Sequence, residues 1–204
     1  MNIRPPSGST PVAGPPLPGQ LVLDTCVLVS SVLRPLLLDL ARQAVYAPIW
    51  SATIGDEWRR TTTHLWQLAP EEIADQWRAM QQAFPQADMG DVSAFKQGLQ
   101  FSDPKDWHVI AAARSAQAQQ PGLGVAVLTR NIRDFHRAEL RRLGIQLLDP
   151  DQYLTRLWQA QPLAMQAVLT HLPDRARVAG RPLESLDALL HRERLFRLRR
   201  ATGG

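Results

Sequence analysis

A single cysteine, Cys26, in 204 residues rules out a disulfide within the chain and a zinc site built on cysteines. Redox chemistry is therefore not what this sequence is built for. Long apolar runs are missing too. Stretches such as Leu21 to Leu23 and Val27 to Val29 fall far short of the roughly 20 residues of a membrane span, so no contact with a bilayer is expected. The N-terminus has no apolar segment behind a basic start, as a secretory signal would, and a cytoplasmic location follows as the expectation. Lysine is also scarce: Lys96 and Lys105 are the only two among 23 basic residues. The rest are arginines, whose planar forks suit phosphate recognition. With a formal charge of +4 and a pI near 10.0, the composition is compatible with nucleic acid but does not by itself select it over a solvated basic surface.

What is present is enough apolar residue, 45%, for one substantial core. Residues 1–19 hold six prolines among small and polar residues and are expected to form a disordered arm. From residue 20 to 150 short apolar runs alternate with helical periodicity. Leu21 to Leu23 reads as a strand that feeds a helical segment, Val27 to Leu40, and Ala47 to Trp50 as a second strand. Helices are expected over Thr53 to Leu65, Pro70 to Phe84, Pro104 to about Gln119 and Arg137 to Arg142, with strands at Val125 to Leu128 and Ile145 to Leu148. This order predicts an α/β fold with a central parallel sheet flanked by helices in three layers. Residues 151–204 read as a small helical extension. Its last segment, Pro182 to Arg200, carries Leu183, Leu186, Leu190 and Phe196 near one face and an arginine cluster at its end. Arg197, Arg199 and Arg200 are the candidate phosphate contacts there.

In open α/β sheets ligands bind beyond the carboxyl ends of the strands, and acids gather at those ends here. Asp24 directly follows the first strand; Thr129, Asn131 and Asp134 follow the strand ending at Leu128. Glu57 lies in the helix after the second strand, and Asp103 and Asp106 lie where the Pro104 helix begins. Mg²⁺ takes oxygen ligands and keeps several waters, so one or two carboxylates bind it directly while others act through water. A divalent cation relieves the repulsion among such acids and lowers the pKa of a water that attacks phosphorus. Each residue also has a plainer use. Asp24, Asp103 and Asp134 suit helix caps, Glu57 with Asp56 and Arg59 suits a solvated helix face, and Thr129 and Asn131 are common in turns. His108, mid-helix beside Val109 and Ile110, reads as a half-buried structural histidine rather than a catalyst.

Four stretches, LVLDTCVLVS (Leu21 to Ser30), IGDEWRR (Ile54 to Arg60), DPKDWHVIAAA (Asp103 to Ala113) and LTRNIRDF (Leu128 to Phe135), resemble the motifs of PIN domains in family order. The closest likeness is to VapC-type toxins that carry an extra C-terminal helical segment. The resemblance implies an endoribonuclease using Mg²⁺ or Mn²⁺, often a homodimer, acting on RNA and neutralised by a cognate antitoxin. It maps the acidic site onto Asp24, Glu57, Asp106 and Asp134, with Thr129, Asn131 and Asp103 in support and Asp24 and Asp106 on the metal. Cys26 departs from the family, which commonly has Asn or Ser there, so this position is expected to give Asp24 no polar partner.

Rival folds fit less well. A haloacid-dehalogenase-like phosphatase needs a second Asp where Cys26 stands, and a receiver domain needs a lysine after a late strand, where neither Lys96 nor Lys105 lies. A PIN-like module that binds RNA or protein without cutting would have lost one or more of the four acids, and all four are present. A housekeeping RNA-processing nuclease would keep the same chemistry.

Overall fold

The computed structural model describes residues 15–177, 180 and 182–203; the expectation of a disordered arm over residues 1–19 falls, for residues 1–14, outside them. In chain order the elements are β1 (Gln20–Leu23), α1 (Thr25–Leu28), α2 (Leu33–Arg42), β2 (Ala47–Ile49), α3 (Ala52–Trp66), α4 (Pro70–Ala83), α5 (Trp107–Gln119), β3 (Val125–Leu128), α6 (Arg137–Arg142), β4 (Ile145–Leu148), α7 (Pro150–Ala160), α8 (Pro162–Arg175), α9 (Leu186–Arg192) and α10 (Phe196–Ala201). Three 3₁₀ turns, Ser93–Lys96, Pro104–Asp106 and Ile132–Asp134, punctuate the middle of the chain. These elements gather into two compact units. One spans residues 18–29 and 46–148; the other takes in residues 30–45 and 149 onward.

The first unit holds a four-stranded, all-parallel sheet in the order β2-β1-β3-β4. β1 and β3 are buried along their whole length and apolar apart from the hydrogen-bonded Gln20, as strands covered on both faces must be. α5 packs on both strands, and its run Ala111, Ala112 and Ala113, fully buried, lets the helix backbone come close. The in-register pairing Leu23↔Leu128 makes β1 and β3 end level. Residues 24 and 129 therefore leave the sheet side by side, which fixes the location of the candidate site.

Beside the sheet, α3 and α4 pack through tryptophans. Trp77 lies 5.6 Å from Trp50 and 5.5 Å from Trp58, ring centre to ring centre, and the buried Trp58 indole donates to the Leu28 carbonyl at 3.0 Å. Gly55 is what lets Trp77 in, because a Cβ there would stand 2.5 Å from the Trp77 ring. Gly55→Ala is therefore expected to cost about 1 to 2 kcal/mol through overpacking. A denaturant titration reads this as a lower midpoint at unchanged slope.

The second unit is helical. α2 packs on α8, and α7 on α8 and α10, through Leu33, Leu36, Leu37 and Leu40 of α2, Met165, Leu169 and Leu172 of α8, and Leu198 of α10. Asp149 caps α7 by accepting from the Asp151 and Gln152 amides, and the Asp151 carboxylate accepts from the Arg197 and Leu198 amides at the start of α10.

Two helices expected from the sequence are broken. The segment Val27 to Leu40 is two helices, since the Ser30 hydroxyl accepts from the Val32 and Leu33 amides and restarts the chain. The segment Pro182 to Arg200 breaks between α9 and α10, where Arg194 adopts a left-handed φ of 55°. The expected apolar face is accordingly discontinuous: Leu186 and Leu190 are buried together with Leu189, Leu195 and Leu198, while Leu183 and Phe196 are exposed.

Candidate active site

Asp24 leaves β1 at the level of Thr129, with its amide donating to the Leu128 carbonyl at 3.2 Å. It occupies the cap position of α1 but makes no capping bond through its side chain. Its buried carboxylate accepts instead from the Thr129 hydroxyl at 2.6 Å and the Cys26 thiol at 3.1 Å. Position 26 therefore does give Asp24 a partner, and sulfur makes the bond. Burial, then the Asp24 charge, pushes the Cys26 thiol up to about 12, so it stays a protonated donor and not a nucleophile. Thr129 in turn accepts from the Asn131 amide at 2.9 Å, so the Asn131 backbone reaches Asp24 through the Thr129 hydroxyl. The Asn131 side chain is exposed and caps nothing.

Asp106 comes from the turn that leads into α5. The helix expected from Pro104 starts as a 3₁₀ turn, capped by the Asp103 side chain on the Lys105 amide at 3.0 Å. That turn puts Asp106 at the cap position of α5 with no capping bond through its side chain, leaving the carboxylate available. The Asp103 amide donates to the Asp134 carbonyl at 2.8 Å, which ties the Asp106 turn to the Asp134 turn. The cap of α6 is not Asp134 but His136, whose Nδ1 accepts from the Glu139 amide. Burial first, then the charges of Asp24 and Asp134 and, after an opposing effect of His108, that of Asp103, raise Asp106 to about 6. Asp24 and Asp134 thus act on Asp106 from distant segments of the chain.

Glu57 stands slightly apart, bound to the Thr25 hydroxyl at 3.0 Å, with His108 Nε2 lying 3.1 Å from its Oε2. That approach has the distance of an ion pair without the alignment of a good hydrogen bond. Burial works to raise the Glu57 carboxyl, but His108, Thr25 and Arg60 together outweigh it and hold it low. His108 is buried and its Nδ1 lies 2.8 Å from the Lys105 carbonyl. It faces Glu57, not open solvent, so it positions the acid. Sequence reasoning missed Thr25 and Cys26 as partners of the acids; both follow Asp24 directly, and a strand end that turns at once into a one-turn helix was the available signal.

The donors in this cluster are hard oxygens, and the charges of Asp24 and Asp134 that add to burial in lifting Asp106 are what a divalent cation offsets. Among the described residues no three acidic, histidine or cysteine side chains stand close enough to cage an ion alone. Mg²⁺ does not require that, since it retains several waters, and the carboxylates of Asp24 and Asp106 are the pair assigned to it from the sequence. No helix among the described residues is long and apolar enough to cross a membrane. In the helical unit Arg197 and Arg200 are exposed, while Arg199 is paired in fork geometry with Asp187 at 2.5 and 2.9 Å.

A family model described as PIN domain matches residues 20–133, more than half of the chain. No curated protein and no solved structure matches it.

Proposed function

The chain belongs to the PIN-domain family of nuclease modules, and from that premise we propose that it is a metal-dependent endoribonuclease acting at the cluster of Asp24, Glu57, Asp106 and Asp134. The single observation that carries this is the convergence of Asp106 with Asp24 and Asp134 from distant segments: burial first, then the charges of those two acids, raise Asp106 to about 6. A structural surface gains nothing from such crowding, whereas a site awaiting cations does. Asp24 and Asp106 are its metal ligands in this proposal. A bound Mg²⁺ or Mn²⁺ supplies charge neutralisation on the phosphate and a more acidic water. The chain itself supplies orientation. Thr129 and Cys26 hold the Asp24 carboxylate in one rotamer, and His108 and Thr25 hold Glu57.

Cleavage of single-stranded RNA is expected to require Mg²⁺ or Mn²⁺, to stop in EDTA, and to leave 5′-phosphate and 3′-hydroxyl ends. End-labelled RNA on a sequencing gel reads all three. Cleavage that persists in EDTA, or 2′,3′-cyclic phosphate ends, would sink the mechanism; RNA binding without cleavage under any metal would favour the non-cutting module.

A finer identity, the toxin of a bacterial toxin–antitoxin pair with a cognate antitoxin and a homodimer as partners, rests on the likeness to VapC-type toxins. A small antitoxin-like gene beside this one, whose product suppresses the cleavage, is what would support it. Arg197 and Arg200 are candidate phosphate contacts in this proposal. Arg199 would first have to leave Asp187.

A further inference from the structure

Beside the acids lies an open cavity of about 1000 Å³ whose lining includes Phe101, Arg133, Asp134, His136, Arg137 and Arg141. We propose that this cavity is a single-stranded RNA subsite, in which a base stacks on Phe101 while Arg133, Arg137 and Arg141 hold the neighbouring phosphates. The proposal rests on the ribonuclease reading above and deepens it, because Asp134 is shared between the cavity and the acidic cluster.

Three observations meet here. The first is charge. Arg133, Arg137 and Arg141 are exposed and have no ion-pair partner among the described residues, and Arg137 and Arg141, four apart on α6, project along one face. Arginines alone would be an ordinary solvated face.

The second is an aromatic in the wrong place for a solvated face. Phe101 is 58% exposed, with its ring centre 5.2 Å from that of His136 at 37°. One face of a phenyl ring in water beside three guanidinium groups is the arrangement that single-stranded nucleic acid sites use, since stacking and phosphate contacts alternate along the strand.

The third is that this ring is held firmly. The amides of Gln100, Phe101 and Ser102 and the Ser102 hydroxyl all donate to the buried Glu139 carboxylate, at 2.8, 3.3, 3.0 and 2.7 Å. The same Ser102 hydroxyl accepts from the His136 amide at 3.0 Å. One buried carboxylate thus fixes the backbone under both rings, so the stack is prepared before a ligand arrives and little ordering entropy is lost on binding. An acidic protein segment would use the arginines but would have no use for a pre-positioned ring.

The test separates binding from cutting. In an Asp106→Asn background the full chain is titrated into a fluorescent single-stranded oligoribonucleotide over a salt series. Phe101→Ala is expected to weaken binding roughly tenfold with an unchanged salt slope, and Phe101→Tyr to restore it. Arg137→Gln with Arg141→Gln is expected to weaken binding and to lower the slope by about 0.7 for each phosphate that is no longer neutralised. Circular dichroism melts confirm that each variant is folded. Unchanged affinity in folded Phe101→Ala, or an unchanged slope in the arginine variant, overturns the proposal. If the wild type cuts RNA while these variants bind normally, the subsite is wrong and the nuclease reading stands. If the variants lose affinity as described while the wild type cuts nothing, the subsite stands and the nuclease reading falls.

Discussion

Asp106→Asn is expected to lower cleavage by about three orders of magnitude, about 4 kcal/mol of transition-state stabilisation, while the protein becomes slightly more stable. The two effects have one cause. Asp106 sits half-buried among Asp24, Asp134 and Asp103, and its carboxyl is lifted to about 6. A carboxyl raised in the folded state stabilises the fold only when protonated. That contribution is fully present below the ordinary carboxylate range and is lost as pH rises through about 6. At neutral pH without metal the wild type therefore carries an ionised group the fold disfavours, and the amide removes it. After allowing for solvent screening at a half-exposed group, the gain is of order 1 kcal/mol, or roughly 2 to 4 °C in melting temperature.

The pH dependence makes this specific. The gain should be present at pH 7 in EDTA and be lost as the pH falls through about 6 toward pH 4, where Asp106 is protonated in the folded state. Saturating Mg²⁺ should reverse the order, because the wild type then gains stability by binding that the variant lacks. Thermal melts at the two pH values with and without metal, run beside the cleavage assay, check each part. A variant that cuts at the wild-type rate would return Asp106 to the protein surface.

That Asp24 would leave the sheet beside Thr129 was legible in the sequence, because both positions follow from strand ends. Leu21 to Leu23 and Val125 to Leu128 are apolar runs that stop at polar residues, and a parallel sheet brings such stops level. The family match over residues 20–133 takes in Asp24, Glu57 and Asp106 and ends one residue before Asp134. What was not legible depends on side chains that meet from far apart. That Cys26 would donate to Asp24, or His108 approach Glu57, follows from rotamers inside the folded unit and not from spacing. The break in the segment Val27 to Leu40 turned on one serine hydroxyl competing for amides, at Ser30. Helical periodicity runs straight through such a site. The placement of Phe101 beside His136 was hidden for a related reason. Lys96 to Phe101 has no clear period, and its order comes from Glu139, nearly forty residues later.

Glu139→Ala is accordingly expected to be the most destabilising of the substitutions considered, by about 2 to 3 kcal/mol, or roughly 4 to 12 °C in melting temperature. The carboxylate is 2% exposed and accepts four hydrogen bonds, three from consecutive backbone amides and one from Ser102. Removing it leaves the Ser102 amide buried without an acceptor, while the Gln100 and Phe101 amides, nearer the surface, recover part of the loss from water. Burial works to raise the Glu139 carboxyl, but the bonds from Gln100, Ser102 and Phe101 outweigh it and hold it low. A lowered carboxyl stabilises the fold above the ordinary glutamate range, and that stability is lost as pH falls through the depressed value. The penalty of Glu139→Ala should therefore be full at pH 7 and shrink on acidification, the opposite of a cavity effect, which would be indifferent to pH. Glu139→Gln keeps the volume but points an amide group at donors, so it should recover less than half of the loss. Because the Asp103 amide is tied to the Asp134 carbonyl next to this loop, both variants should also weaken RNA binding and cleavage, and a denaturant titration at pH 7 and pH 4 beside the binding assay reads all of this. Wild-type stability in Glu139→Ala at pH 7 would mean that the loop from Gln100 to Ser102 holds itself and that Phe101 owes its position to something else.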